Sequence, residues 1–178
     1  MAWNIGFMFE TTEELAALQN LLDASAAAAG AHLREIITDD RRMDADELTR
    51  RLQGMCLITA ASVTADGRPL TGPVDGYFLH GSWWFSSGPQ AVRIRHWKTR
   101  PAVSATYLPG EELSVTVHGR AELFDLHGPE CADLRQAMLD HYLPKQGPAF
   151  QEWMDGLQGA FGVRIEARKL FTFSAAQS

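Results

Sequence analysis

Cysteine is scarce in this chain of 178 residues, and its two copies, Cys56 and Cys131, lie far apart and outside any CxxC pair. A disulfide scaffold or a cysteine zinc site needs more cysteines at closer spacing, so we predict two reduced, buried thiols. Long apolar runs are also missing, since no stretch reaches the roughly 18 apolar residues of a membrane span. The first residues show no basic segment followed by an apolar core, as a signal peptide would. We therefore expect a cytoplasmic protein that does not bind a membrane.

Positive charge is in deficit as well. The chain has 16 Lys and Arg residues against 22 Asp and Glu residues, a formal net charge of −6. Binding to nucleic acid needs a broad positive field, so we do not expect it here. The six histidines show no HxxxH or HExxH spacing, and no GxSxG nucleophile elbow is present. The sequence predicts no metal site and identifies no catalytic residue.

The first quarter of the chain is predicted to be helical. Thr11 and Glu14 have the spacing of a capping box, and the helix that they start would end at Gly30. A charged connector, TDDRRMDADE, leads to a short helix containing Leu48 and Leu52. We predict an N-terminal helical extension over residues 1–47 and a main domain over residues 48–178.

From Met55 the apolar period changes from near 3.6 to 2, which is typical of strands. The turn Ala65-Asp66-Gly67-Arg68 predicts a hairpin, and four further strands follow it. Strands and helices do not alternate regularly, which argues against a doubly wound dinucleotide-binding sheet. We therefore predict a mainly β protein with flanking helices, an antiparallel six-stranded barrel.

Strand alternation predicts on which face of the sheet several large side chains lie. In the last strand the alternation places Phe171 and Phe173 on the same inner face as Val163. Trp83 and Trp84 point to opposite faces of one strand, so that one lies in the core and the other covers a dimer interface or a flavin ring.

Residues 85–107 combine hydroxyls with basic side chains. Ser86, Ser87 and Gly88 end a strand, and a helix is predicted over residues 90–100. Hydroxyls, free amides and a helix start favour an anion, and Arg93 can add a bidentate fork to a phosphate. A solvated basic helix face is the alternative for the same residues.

The order and spacing of several segments resemble the pyridoxamine 5′-phosphate oxidase-like, FMN-binding split-barrel family, which includes deazaflavin-dependent reductases. The resemblance covers roughly residues 48–173. It rests on DGxP at residues 66–69, Gly-Pro-Val-Asp-Gly at residues 72–76, the strand end Ser86-Ser87, and VxGxAEL at residues 117–123.

This resemblance implies an FMN-binding split barrel that forms a homodimer with flavin sites between the subunits. FMN is the expected cofactor, with a deazaflavin as the alternative. Ser86, Ser87 and Arg93 stand where the family holds the flavin phosphate, and the strand at residues 72–76 would offer its backbone to the isoalloxazine ring. The expected cofactor-binding residues are Pro73, Val74, Asp75, Gly76, Ser86, Ser87, Arg93, Arg95 and His96.

The sequence also departs from the family pattern. Ala91 replaces a family serine, and Thr71 and Gly76 stand where the oxidases have basic residues. We therefore do not expect a pyridoxamine phosphate oxidase itself, and Arg95 would compensate for part of the missing charge. The expected function is a flavin-dependent oxidoreductase that acts on an unidentified small molecule by hydride transfer. The alternative is a non-enzymatic flavin- or haem-binding protein, with His96 as an axial ligand.

Overall fold

The computed structural model describes residues 9–175. Residues 1–8 of the predicted helical extension and residues 176–178 of the predicted main domain lie outside the described residues. Six strands close into a barrel in the order β1-β2-β3-β6-β5-β4, and every neighbouring pair is antiparallel. This confirms the predicted fold class. The strands are β1 (Met55–Val63), β2 (Pro69–Leu79), β3 (Ser82–Ser87), β4 (Ala102–Gly110), β5 (Leu113–Asp125) and β6 (Phe161–Ser174).

Six α-helices surround the barrel, together with two short 3-10 helices. They are α1 (Thr12–Ala27), α2 (Ala31–Ile36), α3 (Ala45–Arg51), α4 (Val92–Trp97), α5 (Ala132–Gln146) and α6 (Pro148–Asp155). The capping box of α1 is present, since the Glu14 amide donates to the Thr11 hydroxyl and the Thr11 amide to the Glu14 carboxylate. Within residues 9–175, no helix combines the length and apolar character that crossing a membrane requires.

Helix α4 is shorter than the sequence predicts. The chain is still extended at Ala91, so the helix begins at Val92 rather than Gln90. After Trp97 the chain makes one further turn, in which the amides of Thr99 and Arg100 both donate to the carbonyl of His96. Ile94 and Trp97 are almost fully buried, so one face of the helix packs against the barrel.

The interior of the barrel holds the larger of two apolar clusters. Ile58 of β1 and Trp83 and Phe85 of β3 are almost completely buried there, so the core position predicted for one tryptophan is confirmed. Helix α1 belongs to the same packed unit, since Leu18 joins the cluster and the hydroxyl of buried Ser25 accepts a bond of 2.9 Å from the backbone of β6. The N-terminal helix is therefore attached to the barrel by both apolar packing and a buried hydrogen bond.

A second apolar cluster lies outside the barrel, between the sheet and helices α5 and α6. Tyr77 of β2 and Trp84 of β3 pack there against Met138 of α5 and Phe150 of α6. Trp84 is 6% exposed. It therefore lies under the helices and presents no surface to a second subunit, contrary to the alternative expected for it.

A β-bulge interrupts the pairing of β5 with β6. His118 pairs with Lys169 while Gly119 pairs with Ala167, which leaves Arg168 as an extra residue on β6. A side chain at Gly119 would collide with the backbone carbonyl of Glu166. Glycine at this position permits the close approach of the two strands at the bulge.

The bulge reverses the alternation of side chains in the second half of β6. Leu170 and Thr172 are buried, whereas Phe171 and Phe173 are only partly buried and lie on the outward face. The prediction that these two phenylalanines share the inner face of Val163 is therefore wrong. The extra residue shifts the register by one position, and a shift of one position moves every following side chain to the other face.

Candidate functional site

Strand β2 is paired on only one side along most of its length. It pairs with β1 over residues 69–77, but it pairs with β3 only at residues 77–79. The edge of β2 that faces β3 is thus open over residues 70–76. Pro73 suits this edge, since it has no backbone N–H to contribute to a ladder. Most of the residues expected to bind a cofactor lie along this opening.

Arg93 lies at one end of the opening. Its half-buried side chain extends from α4 to β2, where Nη1 donates to the carbonyl oxygen of Pro73 at 3.3 Å. Nη2 lies 3.1 Å from the position that a Cβ atom on Gly72 would take, so the absence of a side chain there makes room for the guanidinium. Burial lowers the pKa of Arg93, although an arginine stays charged at neutral pH.

The charge of Arg93 is not neutralised by the protein around it. Within residues 9–175 no carboxylate lies within salt-bridge distance of its guanidinium. Its one hydrogen bond uses a single donor of the five that a guanidinium carries. A partly desolvated cation with free donors is suited to bind an anion such as a phosphate.

A cleft of about 300 Å³ lies at the other end of the opening, under helices α5 and α6. The hydroxyl of Tyr142 donates a short hydrogen bond to the carboxylate of Asp75 across the cleft. The ring of Tyr142 stacks on Phe150 with centroids 4.6 Å apart. The cleft is lined by Asp75, Tyr77, Ser86, Met138, Tyr142, Gln146, Phe150 and Trp153.

The hydroxyls in this cleft remain protonated at neutral pH. Burial, together with the hydrogen bond to Asp75 and the charge of that carboxylate, raises the pKa of Tyr142 to about 12. Burial also raises the pKa of Tyr77, with the nearby Tyr142 and Asp75 adding to the effect. Tyr77 is 1% exposed, and its hydroxyl has no hydrogen-bond partner in the described part of the chain. The cleft thus contains one buried hydroxyl that the protein leaves unpaired.

The two serines at the end of β3 do not share a face. Ser86 lines the cleft, while Ser87 follows it in the strand and pairs with Phe161 of β6. Successive side chains in a strand point to opposite faces. The structure therefore brings Ser86 towards Asp75, and it leaves Ser87 on the other face of the strand.

The expected residues on β2 differ in what they can offer. Val74 is buried inside the barrel, and a Cβ atom on Gly76 would lie 3.0 Å from the side chain of Ile58. Their backbone groups point towards β1, with which both residues pair, so neither residue offers a polar group at the open edge. The Pro73 carbonyl points to the open edge, and because antiparallel backbone groups alternate, the N–H and C=O of Asp75 point to the same edge.

Among the described residues, no contact places Arg95 or His96 in the opening along β2. Arg95 is exposed, with no hydrogen bond or ion pair to the described residues. The Nδ1 atom of His96 lies 2.9 Å from the hydroxyl of buried Ser62 on β1. Across residues 9–175, no group of three or more His, Cys, Asp or Glu side chains could hold a metal ion.

The aromatic wall of the cleft was not anticipated from the sequence. Trp153 is 53% exposed, while its neighbour Met154 is buried. No local pattern could identify this cleft, since the bond between Tyr142 and Asp75 joins residues 67 positions apart. The only signal was the run of aromatic residues on the two helices.

A second, more apolar cleft of about 400 Å³ lies between α2 and the outward faces of β5 and β6. The exposed His118 lines it, and its Nδ1 atom lies 2.8 Å from the hydroxyl of Ser104. The other lining residues are Leu33, Ile36, Ile37, Ser114, Thr116, Phe171 and Phe173. This cleft exists because the bulge turns the two phenylalanines outward.

Comparisons with known proteins place the fold. A scan against protein-family models finds no match, and a search of curated protein sequences finds no significant match either. Solved structures do match. HutZ, described as a heme storage protein of Vibrio cholerae, is 16% identical, with 75% of this chain and 97% of that chain covered and a TM-score of 0.60.

Two further structures match at similar levels. A conserved hypothetical protein from Mycobacterium tuberculosis is 19% identical, with 86% of this chain and 89% of that chain covered and a TM-score of 0.55. An FAD-binding protein from Mesorhizobium loti is 20% identical, with 77% and 97% covered and a TM-score of 0.55. At these identities the likeness concerns the fold, and the chain has the architecture of the split-barrel proteins.

Proposed function

We propose that this protein is an FMN-binding oxidoreductase of the pyridoxamine 5′-phosphate oxidase-like type, acting on a small molecule by hydride transfer. The observation that carries the proposal is the opening along β2. A half-buried Arg93, which has no carboxylate partner among residues 9–175, lies at one end, and the unpaired backbone edge at Pro73 and Asp75 continues from it. A flavin mononucleotide has a matching anionic end and a flat ring.

In this proposal Arg93 binds the flavin phosphate, and Ser86 and Ser87, on opposite faces at the end of β3, are the candidate hydroxyl contacts of the cofactor. The open edge at Pro73 and Asp75 offers backbone groups to the polar side of the ring. A single guanidinium fork with free donors suits one phosphate group, which favours FMN, while a deazaflavin is the alternative cofactor. When bound, the flavin would supply the hydride chemistry, and the protein would supply binding and orientation.

The proposal includes a homodimer, in which each flavin lies between two subunits. Leu57 on β1 and Leu108 on β4 face outward and are 59% and 64% exposed. They lie one position beyond the paired residues Ile58 and Tyr107, so they are neighbours on the sheet. A second copy covering them would remove a large apolar surface from water. Light scattering after gel filtration tests this, and the double change of both leucines to Glu is expected to give a monomer.

The experiment that tests the cofactor uses absorption spectra of the purified protein. The protein is incubated with FMN or a deazaflavin and then freed of unbound cofactor. A retained flavin band supports the proposal, and no retained band contradicts it. Reduction of the bound flavin by a nicotinamide nucleotide then distinguishes an oxidoreductase from a non-enzymatic flavin carrier, which would stay oxidised.

A haem-binding role is the second candidate, and the apolar cleft beside His118 favours it. The ring nitrogen Nδ1 contacts Ser104, which leaves Nε2 as the atom that could bind iron. HutZ, similar in fold, is described as a heme storage protein. Under this alternative, haem addition gives a Soret band that His118→Ala abolishes and His96→Ala leaves unchanged. A Soret band that depends on neither histidine would contradict it.

We propose the cytoplasm as the location. Cys56 and Cys131 are both free and buried, as predicted. Burial raises the pKa of each thiol to about 11, so both are protonated and unreactive. Unpaired thiols of this kind are compatible with a reducing compartment. Fractionation of cells that express the tagged protein tests the location directly.

A further inference from the structure

The cleft under α5 and α6 differs in charge from the proposed phosphate site. Among residues 9–175, Asp75 is its one charged lining residue, and neither a lysine nor an arginine contributes to it. Lys145 of helix α5 contacts the ring of His141 at 2.8 Å and does not line the cleft. An anion would therefore meet a carboxylate there with no cation to balance it, whereas a cation would be attracted.

The wall of the cleft is a continuous series of aromatic rings. Tyr142 stacks on Phe150 at 4.6 Å, and Phe150 contacts Trp153 with centroids 5.3 Å apart. The exposed half of Trp153 extends this wall to the mouth of the cleft. A flat ring can stack on such a surface, and a positive charge on that ring strengthens the contact with the aromatic faces.

The floor of the cleft contains an unmet hydrogen-bonding group. The hydroxyl of Tyr77 is buried and has no partner within residues 9–175. A buried polar group without a partner costs free energy, so native proteins seldom retain one without a role. The carboxylate of Asp75 accepts one bond from Tyr142 and has further acceptor positions for a ligand N–H.

We propose that this cleft binds planar aromatic amines that carry a positive charge, and that such amines are the substrate class of the protein. The ring stacks along Tyr142, Phe150 and Trp153, and the amine donates to Asp75. The role of these amines as substrates rests on the proposed flavin function. The binding itself follows from the cleft alone. A volume of about 300 Å³ is adequate for a two- or three-ring molecule.

The test compares two acridines of nearly equal size and opposite charge. Fluorescence titrations measure the binding of 9-aminoacridine, which is cationic at neutral pH, and of acridine-9-carboxylate. We expect wild-type protein to bind the amine and to bind the carboxylate at least about tenfold more weakly. Equal affinity for the two acridines would overturn the proposal.

Variants locate the binding. Asp75→Asn removes the charge but keeps an acceptor for Tyr142, and we expect it to weaken amine binding about tenfold. Asp140→Asn removes the same charge from an exposed position on α5 and is the matched control, expected to bind like wild type. Trp153→Ala tests the aromatic wall at an exposed position where folding is little affected. Wild-type affinity in both Asp75→Asn and Trp153→Ala would overturn the proposal.

A competition with FMN separates this proposal from the flavin proposal. If FMN and 9-aminoacridine bind together, the cleft is distinct from the flavin site, as a substrate cleft must be. If FMN displaces the amine competitively, the cleft is the flavin ring site and the inference about the substrate is overturned. If FMN does not bind at all while the charge preference holds, the flavin function fails and amine binding stands.

Discussion

The two ends of β2 offer opposite chemistry along one open edge. Near Gly72 and Pro73 the edge meets the guanidinium of Arg93, which has no carboxylate partner among the described residues. Near Asp75 and Tyr77 it meets a carboxylate, neutral hydroxyls and aromatic rings. The five steps from Gly72 to Tyr77 span roughly 17 Å of extended chain. One strand can therefore offer a site for an anionic group at one end and a separate surface for a flat ring at the other.

Removing the cation should have the largest effect on this contrast. Arg93→Ala is expected to weaken FMN binding by about 1.5–3 kcal/mol, roughly 10- to 150-fold, the range for a lost charge-assisted hydrogen bond. Arg95→Ala removes an exposed charge two residues away and serves as the control, with a much smaller loss. Equilibrium titration of flavin fluorescence measures both. Equal affinities for wild type and Arg93→Ala would remove Arg93 from the site.

The backbone between the two ends should be intolerant of added volume. In Gly76→Ala the new methyl group would lie about 3 Å from the Ile58 side chain and the Cys56 carbonyl, so we expect a loss of about 1–2 kcal/mol in unfolding free energy. Gly88→Ala is the matched control, since its Cβ would meet open space. Urea denaturation of both variants tests this. A Gly76→Ala protein as stable as the control would show that this part of β2 is loosely packed.

The aromatic end should tolerate the loss of its unpaired hydroxyl. Tyr77→Phe deletes a buried group that lacks a protein partner, so the free energy of unfolding should stay equal or rise by up to about 1 kcal/mol. Tyr142→Phe, which loses the bond to Asp75, should instead lower it. Thermal denaturation without ligand compares the two. A marked loss of stability in Tyr77→Phe would mean that its hydroxyl is already satisfied.

The smallest predicted effect is a pH dependence of stability that comes from His80, beyond the aromatic end of β2. His80 follows this strand, and its ring contacts Glu14 of α1 at 3.1 Å and Asp133 of α5 at 2.8 Å. Burial alone would lower the pKa of His80, but the bonds to Asp133 and Glu14 outweigh it and raise the pKa above 6.5. For Glu14, burial opposes the shift, while bonds to Thr11 and His80 lower the pKa below 4.5.

These directions define the pH window. The contribution of His80 is complete below pH 6.5 and is lost as the pH rises through its raised folded-state value, while that of Glu14 is present above pH 4.5 and lost on acidification. His80→Asn suits the test, since asparagine tolerates the positive φ of 53°. We expect the unfolding free energy of wild type to exceed that of His80→Asn by at most about 1 kcal/mol near pH 5.5–6.5, because the side chains are partly in water. A difference that grows with increasing pH would contradict this assignment.

Local rules were sufficient for most of the fold. The capping box at Thr11 and the Asp66-Gly67 turn each concern neighbouring residues, and the structure confirms them. The bulge at Arg168 was not predictable, because it depends on how β5 and β6 pair across the barrel. The interruption at Lys169 in the apolar pattern was its one trace in the sequence.

The candidate site shows the same division. The family resemblance pointed to Arg93, and the contact of this residue with Pro73 depends on how α4 packs beside β2. The aromatic cleft could not be predicted, since Asp75 and Tyr142 meet only through the packing of α5 on the sheet. Sequence reasoning therefore suggested the cationic end of the opening and missed the aromatic one.

The most direct test of the account is the absorption spectrum of the wild-type protein after incubation with FMN and removal of unbound flavin. The account predicts a retained flavin band of about one FMN per chain, because the opening along β2 combines an anion site with an unpaired backbone edge that can bond to the flavin ring. Protein that emerges colourless at FMN concentrations well above the micromolar range would contradict the central claim.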